Sequence, residues 1–166
     1  MIVVSVDTQK VLVSFDRMPA NLRTAIRGAT VTMTKQLAAR VRENLSGRVL
    51  QRRSGDLYNS IRVELVENPD KVYGRVYVDP TSPAAKYAAA HEFGVVTKPH
   101  VILPRNASVL SFMWNGKRVF FKKVNHPGSK IPERSYMRSA LEAMRDQIVA
   151  KYSAIAAEAL KSQAVA

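Results

Sequence analysis

The sequence predicts an α+β fold in which two long amphipathic helices pack on a small antiparallel β-sheet, with an inserted β-hairpin. Two segments, one near each end of the chain, repeat apolar residues at helical spacing. Between them lie two pairs of alternating segments, each pair joined by turn residues, which is typical of hairpins. With 166 residues, of which 46% are hydrophobic, the chain has the usual size of a single domain, which we expect to span residues 1–166.

The first third of the chain predicts two strands and a helix. Residues 1–16 alternate well enough to form two short strands around a turn at 7–9. Pro19 lies where helices often begin, because the N–H that proline lacks has no partner in the first turn. A long helix is therefore predicted over residues 19–46, with Gly47 as its stop. Its apolar side consists of Leu22, Ile26, Met33, Leu37, Val41 and Leu45.

The middle of the chain predicts a hairpin and a short helix. Residues 60–79 alternate on either side of Asn68-Pro69-Asp70-Lys71, whose composition is typical of a turn. The alternation gives one face to Ile61, Val63 and Leu65. Prolines then end the second strand, and a short helix is predicted over residues 84–92.

The last part of the chain predicts an inserted hairpin and a second long helix. The insertion covers residues 95–129, and Asn115-Gly116 within it is a strong signal for a two-residue turn, since both positions require positive φ. A helix is predicted over residues 135–163. Its apolar stripe consists of Met137, Leu141, Met144, Ile148, Tyr152, Ile155 and Ala159.

The charge balance is strongly basic. The formal net charge of +13 fits binding to nucleic acid, to anionic lipid or to acidic protein partners. The cations are scattered, which favours solvated faces and partner contacts over one dedicated patch. We expect assembly contacts from a basic loop, from the inserted hairpin and from the chain ends. The interface residues expected in the loop and the hairpin are Arg48, Arg52, Arg53, Trp114, Lys117, Arg118, Lys122 and Lys123.

The residue patterns that carry catalysis are missing from the sequence. His91, His100 and His126 with Glu92 have the chemistry of zinc ligands, but their spacing matches no His-Glu-x-x-His motif. The sequence contains no Gly-x-Ser-x-Gly elbow and no phosphate-binding glycine loop. With no cysteine, it predicts neither disulfides nor thiolate metal sites. We expect no catalytic residue, no cofactor and no metal.

Three motifs follow one another in order along the chain. The first contains Gly55, Leu57 and Ser60, within Arg53-Ser54-Gly55-Asp56-Leu57-Tyr58-Asn59-Ser60-Ile61. The second consists of Tyr87, Ala88, His91, Glu92, Phe93 and Gly94. The third is Pro132-Glu133-Arg134-Ser135-Tyr136-Met137. In order and spacing they resemble the motifs of tailed-bacteriophage neck and tail-component proteins, of the minor tail protein Z-like and virion morphogenesis type.

The resemblance implies a structural virion protein without enzymatic activity, a neck or tail-completion subunit that joins head and tail. The implied partners are copies of itself in a ring, expected to be a hexamer, and other neck and tail proteins such as the connector, the head-closure protein and the tail tube. Non-specific contact with packaged DNA is also implied. The protein would be found in the virion after assembly in the host cytoplasm. We expect no membrane contact, because the sequence has no run of about 18 apolar residues.

The motif residues are expected to have structural roles. Gly55 and Gly94 would permit tight turns, Phe93 would fill the core between helix and sheet, and Glu92 would be partly buried and paired with an arginine or with backbone N–H groups. Two features depart from the family pattern. Ser135 replaces the usual proline and would serve as an N-cap. The insertion is also longer than in the shortest members.

Two other functions stay open. A basic DNA-binding protein would use the hairpin at 108–124, whose aromatic and basic residues suit a groove or unpaired bases. A small metal-dependent nuclease or toxin would depend on His91 or Glu92.

Overall fold

The α+β fold class is confirmed by a computed structural model, which describes residues 18–164, with side chains described as far as Lys161. The two strands expected at 1–16 lie outside the described residues. Long helices occur near both ends of the described chain, with four two-stranded antiparallel sheets between them. The strands expected at 60–79 form one of these sheets, and the insertion forms the other three.

The first long helix, α1, runs over Ala20–Glu43 and contacts both the first sheet and the last helix. Its apolar spacing places Met33, Leu37 and Val41 in the core. A π-type turn, Asn44–Arg48, follows, and Gly47 with φ of 117° ends the helical path. The left-handed backbone there suits glycine, which explains why the chain leaves the helix at this residue.

The first sheet packs against α1. Strand β1 (Ile61–Asn68) pairs with β2 (Lys71–Val78) in a register that sets Ile61 opposite Val78 and Leu65 opposite Gly74. The Asn68 side chain accepts the N–H of Lys71 at 3.0 Å and thereby closes the turn. The contacts of both strands with α1 bury Ile61, Val76 and Val78.

Two short helices flank this hairpin. Helix α2 (Asp56–Asn59) was not expected from the sequence and begins after Gly55, which has φ of 88°. Helix α3 (Ala85–Phe93) follows β2, and its residues Ala88 and Glu92 are buried. One turn of helix separates these two residues, so they share a face.

The insertion is a narrow two-stranded ribbon. It consists of three successive antiparallel strand pairs. In each pair one strand runs towards the tip and the other runs back towards the base. The pairs, from the base to the tip, are β3 (Val95–Thr97) with β8 (Ser129–Ile131), β4 (His100–Ile102) with β7 (Val124–His126), and β5 (Leu110–Trp114) with β6 (Lys117–Phe121). We call residues 95–131 the arm.

The last helix, α4, spans Arg138–Ala164 and packs on α1. Ala140, Met144 and Ile148 carry its buried stripe, and Tyr152 reaches Thr30 of α1 with hydroxyl oxygens 2.7 Å apart. The helix begins at Arg138 rather than at residue 135. The β1–β2 sheet and α4 are therefore both packed against α1, and the three together form one core cluster.

Candidate functional site

The arm exposes large apolar side chains at its tip. Trp114 is 64% exposed, Met113 62% and Phe120 61%. The turn at the end has the expected positive φ, 46° at Asn115 and 76° at Gly116. Because isolated two-stranded hairpins are marginal in water, a ribbon with these residues in solvent is suited to contact with another molecule.

The register assigns the tip residues to two faces. Phe112 lies opposite Val119, and it shares its face with Trp114 and Phe121, since residues two apart in a strand point the same way. The Phe112 ring stacks on Phe121 with centroids 5.8 Å apart and meets Trp114 edge-on at 6.4 Å. The opposite face carries Met113 and Phe120. Each face of the tip therefore has large apolar side chains, with Lys117 on the first face and Arg118 on the second.

The arm and its flanks form the longest stretch of the chain without an acidic residue. Residues 93–132 include no aspartate or glutamate. The cations in this range are Lys98, Arg105, Lys117, Arg118, Lys122, Lys123 and Lys130. The outgoing strands β3, β4 and β5 contain no lysine or arginine, whereas β6 and β8 do. One edge of the ribbon is therefore cationic and the other edge is not.

The arm is anchored at its base through Glu92. The Glu92 carboxylate is 1% exposed and accepts the backbone N–H groups of Met137 at 2.9 Å and Arg138 at 2.8 Å. These donors belong to the start of α4, where N–H groups lack partners within the helix. A carboxylate at a helix N-terminus is also favoured by the helix dipole. The expected pairing of Glu92 with backbone N–H groups is confirmed, and its burial is complete rather than partial.

Gly94 allows the two ends of the arm to approach each other. Its φ is 69°, and a Cβ at this position would lie 2.9 Å from the backbone N of Glu133 and 3.0 Å from the carbonyl oxygen of Ile131. Next to it, the N–H of Arg134 donates to the carbonyl of His91 at 2.8 Å. Any side chain at Gly94 would separate these backbones, so the expected tight turn is found here.

The third motif packs into the same place. Tyr136 is fully buried, and its hydroxyl lies 3.4 Å from the carbonyl oxygen of Ala88. Burial, with the Glu92 carboxylate close by, raises the pKa of Tyr136 far above its ordinary value. Asn44 donates to the carbonyl of Tyr136 at 2.9 Å and so joins the end of α1 to this cluster. We call the cluster of Asn44, Glu92, Gly94 and Tyr136 the joint.

Two expectations about the motifs need correction. Phe93 does not fill the core, because its side chain is 58% exposed. The inward face of α3 passes through Ala84, Ala88 and Glu92, and Phe93 lies about 100° around the helix from Glu92. Ser135 precedes the turn before α4, and Glu92, from a distant part of the chain, supplies the cap expected of it.

The remaining motif residues also have structural contacts. Ser60 is buried and donates its hydroxyl to the carbonyl of Leu57 at 2.8 Å. Leu57 packs against the core. Tyr87 meets His91 edge-on with ring centroids 5.8 Å apart, and desolvation followed by the nearby Arg134 lowers the pKa of His91. Pro132 lies between β8 and the Glu133 backbone that Gly94 approaches.

The three loop arginines lie on the segment between α1 and α2, not on the arm. The Arg52 guanidinium stacks over the Tyr58 ring at 4.7 Å and lies against Gly55. Arg48 and Arg53 are exposed. The expected interface residues are thus divided between two surfaces, and the arm has the larger number of cations.

The two arm histidines face each other across the strands. His100 and His126 are paired in register, with ring centroids 5.0 Å apart. The Nδ1 of His126 accepts the N–H of Gly128 at 3.0 Å, so the proton of its neutral ring is on Nε2. His100 Nδ1 donates to the carbonyl of Lys98. Of the four ring nitrogens of the two histidines, only Nε2 of His100 therefore keeps a free lone pair that could bind a metal ion. Within the described residues, no group of three or more His, Asp or Glu is arranged to hold a metal ion.

The Asp79 carboxylate is held by contacts within the chain. It accepts the hydroxyl and the N–H of Thr81 at 2.6 and 2.9 Å, and it pairs with Arg62 at 3.1 Å. The Thr81 hydroxyl, more than Arg62, holds the pKa of Asp79 below its ordinary value. This carboxylate holds the turn after β2.

A cleft of about 350 Å³ lies between α1 and α4. Gln147 donates to Gln36 across it at 3.0 Å, and Arg40 pairs with Glu43 at 2.8 Å on its wall. These polar groups are satisfied by one another, so the arm remains the stronger candidate for a functional surface.

Comparison of the chain with models of protein families, with characterised proteins and with solved structures finds no match. Between residues 18 and 164, no helix combines the length and the apolar character needed to cross a bilayer.

Proposed function

We propose that this chain is a structural virion protein of a tailed bacteriophage, a neck or tail-completion subunit that joins head and tail. In this role it forms a ring with copies of itself and contacts neighbouring neck and tail proteins. The exposed arm supports the proposal most directly, because a ribbon with large exposed apolar side chains on both faces is suited to burial between neighbouring subunits.

The joint gives the proposal its second support. Motif residues 92 and 94 meet residue 136, which lies more than 40 positions later in the sequence, in one cluster at the base of the arm. Their contacts fix the arm to α3 and α4 and involve no reacting group. An assembly subunit requires such motifs, because a projecting element must be held at a fixed angle to contact the neighbouring subunits.

The arm cations provide the test in virion assembly. Reversing Lys117, Arg118, Lys122 and Lys123 to glutamate is expected to reduce head-to-tail joining at least tenfold, because contacts with acidic partner surfaces or DNA become repulsive. A phage genome carrying the altered gene would be scored by plaque titre and by electron microscopy of separated heads and tails. Normal titres and joined particles would contradict the assembly role of the arm.

A matched control separates the position of the charges from their number. Lys35, Lys86, Lys151 and Lys161 are exposed and lie outside the arm. Reversing these four produces the same net charge, and joining is expected to remain near normal. Mass spectrometry of purified particles tests the broader proposal, since a structural virion protein must be present in them.

DNA binding by the arm is the second candidate, favoured by seven cations without a carboxylate across residues 93–132. It predicts that duplex affinity of the purified protein falls steeply with salt, as counterion release requires. Affinity that is weak at low salt and almost independent of salt would remove this candidate.

A further inference from the structure

The two edges of the arm differ in a way that matters for association. In a two-stranded ribbon each strand leaves one row of backbone N–H and C=O groups unpaired. Natural proteins protect such edges with charged residues, lysine above all. Strand β6 has this protection in Lys117 and Arg118. Strand β5, Leu110-Ser111-Phe112-Met113-Trp114, has no charged residue.

We propose that β5 pairs antiparallel with β5 of a second copy of this chain, across a two-fold axis at Phe112. The two ribbons then form one four-stranded sheet in the order β6, β5, β5 and β6. The proposal concerns the purified chain and does not rest on the virion function, because a ring would use separate, heterologous contacts.

The charge distribution favours a second copy as the occupant. Pairing through β5 places the two cationic β6 strands on the outside, three strand spacings or about 14 Å apart. This separation exceeds the screening length of about 8 Å at physiological salt, so their repulsion is weak. Pairing through β6 would instead make the two cationic strands neighbours, only one strand spacing apart.

The side-chain order of β5 is also self-complementary. Around the axis, Phe112 faces its own copy, Leu110 faces the partner's Trp114, and Ser111 faces the partner's Met113. Aromatic and aliphatic cross-strand pairs of this kind stabilise sheets. Leu110, Phe112 and Trp114 share a face with Val119 and Phe121. The paired ribbons would therefore join the apolar side chains of two faces into one continuous surface, with Lys117 of each copy on an outer strand.

A cysteine placed on the axis tests the pairing directly, because the native chain contains no cysteine. Residues opposite each other in antiparallel strands have Cα atoms roughly 4.5 to 5.5 Å apart, within the range of about 4.4 to 6.8 Å for a disulfide. The full-length Phe112→Cys protein is therefore expected to form a covalent dimer under mild oxidation with diamide. Most of the chain should shift to dimer on a non-reducing gel.

Val119→Cys is the matched control. Val119 lies opposite Phe112 in the same hairpin, on the same face, and both are half-buried. In the proposed sheet its Cα is about 14 Å from its copy, too far for a disulfide. Equal cross-linking of the two variants would indicate random collision and would overturn the proposal.

A charge exchange distinguishes self-pairing of β5 from pairing with another surface. Phe112→Lys and Phe112→Asp are each expected to sediment as monomers, since like charges would lie directly opposite. Mixed, they should recover a one-to-one dimer. The unaltered chain should show concentration-dependent dimerisation in the same experiment. A strictly monomeric unaltered chain, or a mixture that stays monomeric while both variants retain the native circular dichroism, contradicts self-pairing.

Discussion

Glu92 stabilises a helix that begins 46 residues later in the chain. Its two oxygens accept one N–H each from Met137 and Arg138, and nothing in the local sequence of α4 supplies an equivalent cap. The carboxylate thereby ties α3, the base of the arm and α4 together. Removing it would leave two helix N–H groups in a buried site without acceptors.

We expect Glu92→Ala to lower the free energy of unfolding by about 2 to 4 kcal/mol, because charge-assisted hydrogen bonds are lost and buried donors remain. Urea unfolding followed by circular dichroism measures the change. The control is Glu142→Ala, on α4, whose exposed carboxylate lies 3.9 Å from Arg138 and should contribute less than about 0.5 kcal/mol. Equal small effects for both variants would contradict the capping role of Glu92.

Gly74 sets the distance between β2 and α1. A Cβ on Gly74 would lie 1.7 Å from the Thr34 hydroxyl oxygen and 2.7 Å from its Cβ. Gly74→Ala should therefore lower the free energy of unfolding by about 1 to 3 kcal/mol through overpacking. Adding Thr34→Ala removes the closest contacts, so thermal unfolding of the double variant should show partial rescue.

Gly28 is the control for this effect. It lies within α1, and a Cβ there meets nothing within 4 Å. Gly28→Ala should stabilise the chain by about 0.5 to 1 kcal/mol, since alanine has the better helix propensity. A Gly74→Ala variant as stable as the native chain would show that the sheet can move away from α1 at little cost.

The sequence predicted the helices and strands that have a recognisable pattern within their own residues. The long helices follow from apolar spacing, and the hairpin tip follows from Asn115-Gly116. The base of the arm has no such signal, because β3, β4, β7 and β8 are three residues each and pair across long stretches of chain. Helix α2 has only four residues and likewise gives no periodic pattern.

The start of α4 and the end of α3 show contacts that the local sequence could not predict. Ser135 has the local chemistry of an N-cap, and Phe93 has the local chemistry of a core residue. In the structure it is Glu92 that caps α4, and it is Glu92 rather than Phe93 that is buried. The reason is that the turn at Gly94 brings α3 against the beginning of α4. Contacts between distant segments decided both cases, and sequence spacing does not encode them.

The candidate surface was identified from the sequence through Trp114 and the β6 cations. The uncharged edge of β5 could be recognised only once the structure showed which strands pair.

At the scale of the whole molecule, the net charge of +13 opposes compaction, since folding brings like charges together. Part of this charge is neutralised locally. Arginines pair with carboxylates on α1, on the first sheet and near α4, as in the 2.9 Å contact of Arg27 with Glu67. These pairs are partly or largely exposed, so each contributes little to stability. The excess of cations on the arm has no such partners within residues 93–132.

Salt should therefore stabilise the chain. Raising NaCl from about 20 to 300 mM shortens the screening length and weakens repulsion between cations more than it weakens the few exposed ion pairs. We expect the melting temperature of the full chain to rise by several degrees, measured by scanning calorimetry. Reversing Lys117, Arg118, Lys122 and Lys123 to glutamate removes two positive units at each position and takes the net charge from +13 to +5. The rise should then be smaller. A melting temperature that falls with salt would mean that the ion pairs stabilise the chain more than the repulsion destabilises it. The charge on the arm would then not destabilise the free chain, and a partner that neutralised it would not add stability in this way.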